Sequence, residues 1–278
     1  MHEFNSHRVG GRCFLAVVLC LWGCTPPGHI VPAESIPAAS PEDYARGILA
    51  PIELTADPLE EAIVRVVGTV SCTGTIIAPD LVLTAHHCVS ERGEDGKALT
   101  RDIEPHQVKI ELGGDDLPWA DVQVKAIVSP ACGYAQGAGD IAILVLNREL
   151  AGWGTLEARL HDAPQKGESV TPWGFGRCAR GSGPIRRHDR EGGNVLEVGE
   201  GIFYAEASIC PGDSGGPVLD KKRQIVGVVS AAVMDTDPAT RDYAHFARID
   251  AFAALFSAAR EIADGSNPNE LPPFRSCR

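Results

Sequence analysis

The stretch Val108-Lys109-Ile110-Glu111-Leu112 alternates apolar and charged residues without a break. Successive side chains of a strand point to opposite faces, so Val108, Ile110 and Leu112 would share an inward face while Lys109 and Glu111 meet water. Outward from it, short β-rich runs follow one another at 62–70, 75–77, 81–83, 107–112, 122–128 and 141–146. After a polar stretch come 169–171, 195–198, 203–205, 217–219 and 225–229. One long helical pattern stands out, over 249–262, where Phe252, Leu255, Phe256 and Ala259 recur at spacings of three and four and Gly265 supplies a stop. Many short strands, glycine-rich turns and a single late helix predict an all-β fold of barrels closed by a C-terminal helix, with two barrels meeting near 155–170. A βαβ fold would need helices between the strands, and the pattern offers none.

The 278 residues suit one large domain or two small ones sharing a core, and 44% of them are hydrophobic, enough to fill it. The formal charge of −12 argues against nucleic acid as a partner, since binding phosphates calls for a positive footprint. The short basic runs Arg186-Arg187 and Lys221-Lys222-Arg223 read as solvated loops. Arg8 and Arg12 precede an apolar run from Cys13 to Gly23, a basic segment then a hydrophobic one too short to span a bilayer. Residues 1–24 therefore read as an export signal. Its end, Leu21-Trp22-Gly23-Cys24, resembles a bacterial lipoprotein signal, in which Cys24 would carry the lipid and attach the protein to a membrane. Ordinary cleavage with release is the alternative, so the expected location is outside the cytoplasm: secreted, periplasmic or lipid-anchored. Residues 25–47, rich in proline, read as a tether or pro-segment, 48–265 as the folded domain and 266–278 as a tail. Of nine cysteines, three belong to the leader. The remaining six, in an exported chain, favour disulfides. Without a Cys-x-x-Cys pair no structural zinc site is expected, Asp115 and Asp116 read as a solvated turn, and no cofactor is implied.

Three local motifs carry chemistry: Leu83-Thr84-Ala85-His86-His87-Cys88, Gly139-Asp140-Ile141-Ala142-Ile143-Leu144, and Cys210-Pro211-Gly212-Asp213-Ser214-Gly215-Gly216-Pro217. A histidine, an aspartate and a serine in that order, the serine among glycines, are the parts needed to activate a hydroxyl. On these motifs the chain resembles the trypsin/chymotrypsin family of serine proteases across roughly 48–262. The resemblance implies two packed six-stranded antiparallel β-barrels with a C-terminal helix, and an endopeptidase acting on proteins or peptides through an acyl-enzyme. Ser214 would be the nucleophile, His87 its base and Asp140 the group that orients the ring. The N–H groups of Gly212 and Ser214 would form the oxyanion hole. The family's histidine directly precedes the cysteine, which selects His87 over His86. His86 stands where the family has a small alanine, and is expected to be packed or hydrogen-bonded.

The resemblance further implies a Cys72–Cys88 disulfide beside the active histidine. Cys210 has no cysteine at the family's usual partner position, so Cys178 is its candidate partner, leaving Cys132 with Cys277. Ser208, six residues before the nucleophile, would sit at the base of the specificity pocket, with Ser230, Ala232 and Ala244 on its walls. A serine in place of an acid at 208 would leave a substrate Lys or Arg unpaired, so a small or medium apolar residue before the scissile bond is expected. Asp213 would pair with a new α-amino terminus made by proteolysis, for which Ile48, behind Arg46-Gly47, is the candidate; the alternative is a permanently active enzyme in which Asp213 finds an internal partner. Beside the protease reading stands a catalytically silent binding or scaffold protein on the same fold. An α/β-hydrolase esterase is disfavoured, because its triad runs in the order Ser, acid, His, whereas this chain has His87, Asp140, Ser214.

Overall fold

A computed structural model describes residues 57–113, 117–130, 139–177, 185–232 and 243–267. Asp57 caps a single helical turn, α1 (Pro58–Ala62), by accepting the amide of Leu59 at 3.0 Å. Strands β1 (Ile63–Val67), β2 (Ser71–Ala78) and β3 (Leu81–Thr84) follow. A small ribbon of β4 (Ser90–Arg92) and β5 (Ala98–Asp102) comes next, then β6 (Lys109–Leu112), β7 (Ala120–Val128) and β8 (Ala142–Leu146). The order β1-β2-β3-β8-β7-β6 closes on itself, giving the first six-stranded antiparallel barrel.

Ile110 and Leu112 are buried on β6, as the alternation requires, while Lys109 and Glu111 lie on its other face. Glu111 stands opposite Arg65 in the β1–β6 register and accepts its Nε at 3.1 Å, so the outer face of the pair is held by charge.

The second barrel is built from β9 (Ser169–Gly174), β11 (Gly193–Val198), β12 (Ile202–Glu206), β13 (Pro217–Leu219), β14 (Ile225–Ala232) and β15 (Tyr243–Arg248), with the two-residue β10 (His188–Asp189) on the edge of β9. The ring β9-β11-β12-β15-β14-β13 closes through the β13–β9 pairing, Val218 opposite Pro172. Both barrels of the expected fold are thus present, and the stretch 147–168 joins them. Strands β13, β14 and β15 each contribute apolar side chains to two cores. Val218, Val226, Val229 and Phe246 fill the second barrel with Phe203, whereas Leu219, Ile225, Val228 and Ala247 join the core of the first.

The late helix is shorter than its sequence pattern: a 3-10 turn (Asp250–Phe252) leads into α2 (Ala253–Ala263). Leu255, Ala258, Ala259 and Ile262 are its buried stripe, packed on β7 and β8, which explains why every residue of β8 is buried. Gly265 ends the helix as expected: its amide bonds Ile262 O and that of Ser266 bonds Glu261 O, a Schellman closure.

At the joint between barrels, Arg159 donates to Glu168 at 2.6 Å and to Asp220 at 2.9 Å. Burial pushes the Glu168 carboxyl up, but the Arg159 hydrogen bond and the Gln165 amide outweigh it and hold it below the ordinary value. A carboxylate lowered in the folded state contributes stability at neutral pH that is lost as pH falls through its folded pKa. Urea denaturation of wild type and Glu168→Gln is therefore expected to differ at neutral pH, with the gap closing as pH falls below the ordinary carboxylate range. A gap independent of pH would refute the ion pair's role.

Candidate active site

The pairing of β3 with β8 brings the first two motifs together. Thr84 stands opposite Ala142, so the 3-10 turn His86–Cys88 that follows β3 and the Asp140 that precedes β8 emerge at one end of the barrel. The Asp140 carboxylate is fully buried. Its Oδ1 accepts the His87 amide at 2.9 Å and its Oδ2 faces His87 Nδ1 at 2.8 Å. Oδ2 also accepts Ser230 Oγ at 2.5 Å, from β14 of the second barrel. An ionised carboxylate only accepts, so Nδ1 carries the ring proton and Nε2 is left with a lone pair in the neutral ring.

Ser214 comes from the turn before β13 and is half-buried, with the His87 side chain 18% exposed. The turn is fixed from both sides. Ser214 O accepts the Thr73 amide at 2.8 Å, and the Gly215 amide donates to Val229 O at 2.8 Å. Gly212 and Gly215 hold φ of +105° and +84°. A Cβ on Gly215 would meet Thr73 O and Thr84 Oγ1 at 2.2 Å, so only glycine lets the serine turn lie against the first barrel.

Cys72 and Cys88 form the expected disulfide, tying the His87 turn to the start of β2. Together with His87 they bring three donor atoms within 4.8 Å of one another, but both sulfurs are consumed by the disulfide and offer no thiolate to a metal. Nε2 of His87 lies 3.7 Å from Cys88 Sγ. His86 is fully buried, with Nε2 2.8 Å from Asp102 Oδ1, and Ser129 Oγ holds the same carboxylate at 2.8 and 3.0 Å. The β4–β5 ribbon that delivers Asp102 is what accommodates a histidine in a place suited to alanine.

Of the expected pocket residues, Ser208 is exposed and its amide bonds Glu191 O at 3.0 Å. Ala244 is buried between Ala205 of β12 and Ala232 of β14 in the strand register. Ser230 holds the Asp140 carboxylate as well as lying on the strand assigned to the pocket wall. Cys210 is disulfide-bonded. Its expected partner Cys178 lies outside the described residues, as do Cys132, Cys277, Ile48 and Cys24.

Two contributors carry no motif. Thr73 Oγ1 donates to Gly212 O at 2.7 Å and accepts the Phe175 amide at 3.0 Å, so one hydroxyl ties the turn before Ser214 to the segment after β9. The other is Arg190, whose guanidinium reaches Asp213.

The family model described as Trypsin matches residues 60–255. The chain belongs to the trypsin family. Among curated proteins, an uncharacterized peptidase of Corynebacterium glutamicum is 28% identical over 187 residues, which is 64% of this chain and 58% of that protein's length. A Glu endopeptidase structure aligns with a TM-score of 0.60 at 21% identity, covering 74% of this chain and 94% of that one. An inactivated protease paralogue of the scabies mite aligns at 0.56 and 20%, covering 74% and 97%. At these identities the structures speak for the trypsin-family fold alone.

Thr73→Val keeps the shape of the side chain and strands the Phe175 amide and the Gly212 carbonyl. The expected cost is about 1–3 kcal/mol in urea denaturation, with Thr73→Ser close to wild type. Equal stability of the valine variant would mean the hydroxyl does not tie the two segments.

Proposed function

We propose that the protein is a serine endopeptidase. The observation that carries the reading is the buried Asp140 carboxylate facing His87 Nδ1, which supports a tautomer with the lone pair on Nε2. In this scheme the Ser214 hydroxyl attacks the substrate carbonyl carbon while its proton passes to His87 Nε2. The Gly212 and Ser214 amides hold the resulting oxyanion; a single donor of this kind is worth about 3–4 kcal/mol in the transition state. The C–N bond then breaks, the imidazolium returns its proton to the leaving amine, and water, deprotonated by the same ring, hydrolyses the ester. Asp140 stays ionised and stabilises the imidazolium.

Ser208 in place of an acid supports a preference against Lys and Arg, and the small Ala232 and Ala244 support a small or medium apolar residue before the scissile bond. Selection by such a pocket is modest, about 1–3 kcal/mol per methylene. The basic-then-apolar leader supports export, with release or lipid attachment at Cys24 as its two forms. A second reading, a catalytically silent binding protein on the same fold, is favoured by the approach of His87 Nε2 to Cys88 Sγ at 3.7 Å, which places the base against the disulfide.

A fluorophosphonate serine probe separates the two. The protease reading expects labelling at Ser214, located by mass spectrometry, and its loss in His87→Ala, with peptide hydrolysis falling by about 10⁴–10⁶-fold. Absence of labelling in folded protein, with or without the first 47 residues, establishes the silent reading. Cleavage of a peptide library chiefly after Lys or Arg defeats the pocket assignment while leaving the mechanism intact.

A further inference from the structure

Asp213 immediately precedes the proposed nucleophile and is fully buried. A buried carboxylate is tolerated only with a cation and hydrogen bonds around it. Its Oδ1 accepts the Gly176 amide at 2.7 Å and Arg190 Nη2 at 2.8 Å. Its Oδ2 accepts the Cys210 amide at 2.8 Å and lies 2.8 Å from Arg190 Nε. Each oxygen therefore meets one amide and one arm of the guanidinium. A carboxylate offers about four acceptor positions; three are taken by hydrogen bonds, and Arg190 Nε lies at ion-pair distance of Oδ2.

Arg190 is itself anchored. Its side chain is 11% exposed, its amide donates to Pro172 O at 2.7 Å, and Nη2 also reaches Gly176 O. A side-by-side guanidinium on a carboxylate fixes the plane as well as the charge, so the pair sets the orientation of Asp213 and, with it, the peptide that delivers the Ser214 amide.

We propose that Arg190 is a positioning residue that replaces a proteolytically generated α-amino group at Asp213, so that the oxyanion segment is assembled in the uncleaved chain. The inference deepens the protease reading and rests on it for its catalytic consequence, whereas its structural part stands apart. A terminus at Ile48 would find the Asp213 acceptors occupied, so a cut there would not be the switch that turns the site on.

The test uses the full chain with its N-terminus verified by mass spectrometry. Intact wild type is expected to react with the serine probe at a rate that removal of residues through Gly47 does not change. Arg190→Ala should slow labelling by about 100-fold, the scale of one oxyanion donor. Arg190→Lys should recover part of that rate, and added Ile-Leu dipeptide should accelerate Arg190→Ala but not wild type. A merely structural arginine would lower the unfolding midpoint and give no dipeptide rescue. Hydrogen exchange of the Gly176 and Cys210 amides, followed by NMR in Ser214→Ala background, is independent of activity: protection should be present in the intact chain and lost on adding Arg190→Ala. Where that variant does not fold, Arg190→Gln serves. Labelling only after a cut that exposes Ile48, or amide protection indifferent to residue 190, overturns the proposal. If no form labels, the protease reading fails and the exchange result still decides the role of Arg190.

Discussion

The buried carboxylate of Asp140 is the constraint on which the rest of the site depends. It lies at the mouth of the first barrel, yet Ser230 from the second barrel donates to the same oxygen that faces His87 Nδ1. A charge so placed is costly unless each acceptor position is used, and removing one partner of such a group typically costs about 3–5 kcal/mol. The two barrels are thereby held in one relative position at the point where chemistry would take place. The Thr73 amide on Ser214 O and the Thr73 hydroxyl on Gly212 O add two more stitches across the same seam.

The second charged centre follows the same logic. Asp213 is buried one residue before the serine and is matched by Arg190 and two amides. In the proposed scheme Asp140 would set which nitrogen of His87 holds a proton, and Asp213 would set where the backbone donors of the serine turn point. Neither carboxylate touches a substrate in this scheme. Both work by removing freedom from groups that do, which is how preorganisation lowers a barrier.

How much of this was legible in the sequence depended on how local each signal was. The motifs around His87 and Asp140 are short and contiguous, and β3–β8 pairing, which needs nothing beyond two apolar runs, brings those two residues together; the Cys72–Cys88 link came from the family resemblance. The β6 alternation held residue by residue. By contrast, β5, Ala98–Asp102, is largely exposed and carries no alternation, so periodicity could not find it. Tyr243–Arg248, β15, was passed over although it is central, because it divides its residues between two cores and so loses the period of two. Phe252 and Phe256 are only half-buried, and Ala258 and Ile262 take the stripe instead. Arg190 and Thr73 have no pattern at all. What pointed towards Arg190 was a requirement rather than a motif: an aspartate at 213 had to have a cation, and the sequence left open whether it came from a new terminus or from within.

The most direct test of the account is the ¹H and ¹⁵N spectrum of the His87 ring in the intact protein, at a pH where the ring is neutral. The account predicts a slowly exchanging proton on Nδ1, an unprotonated Nε2, and reversal of that pattern in Asp140→Asn. A wild-type ring carrying its proton on Nε2, or one whose signals ignore the change at 140, would contradict it.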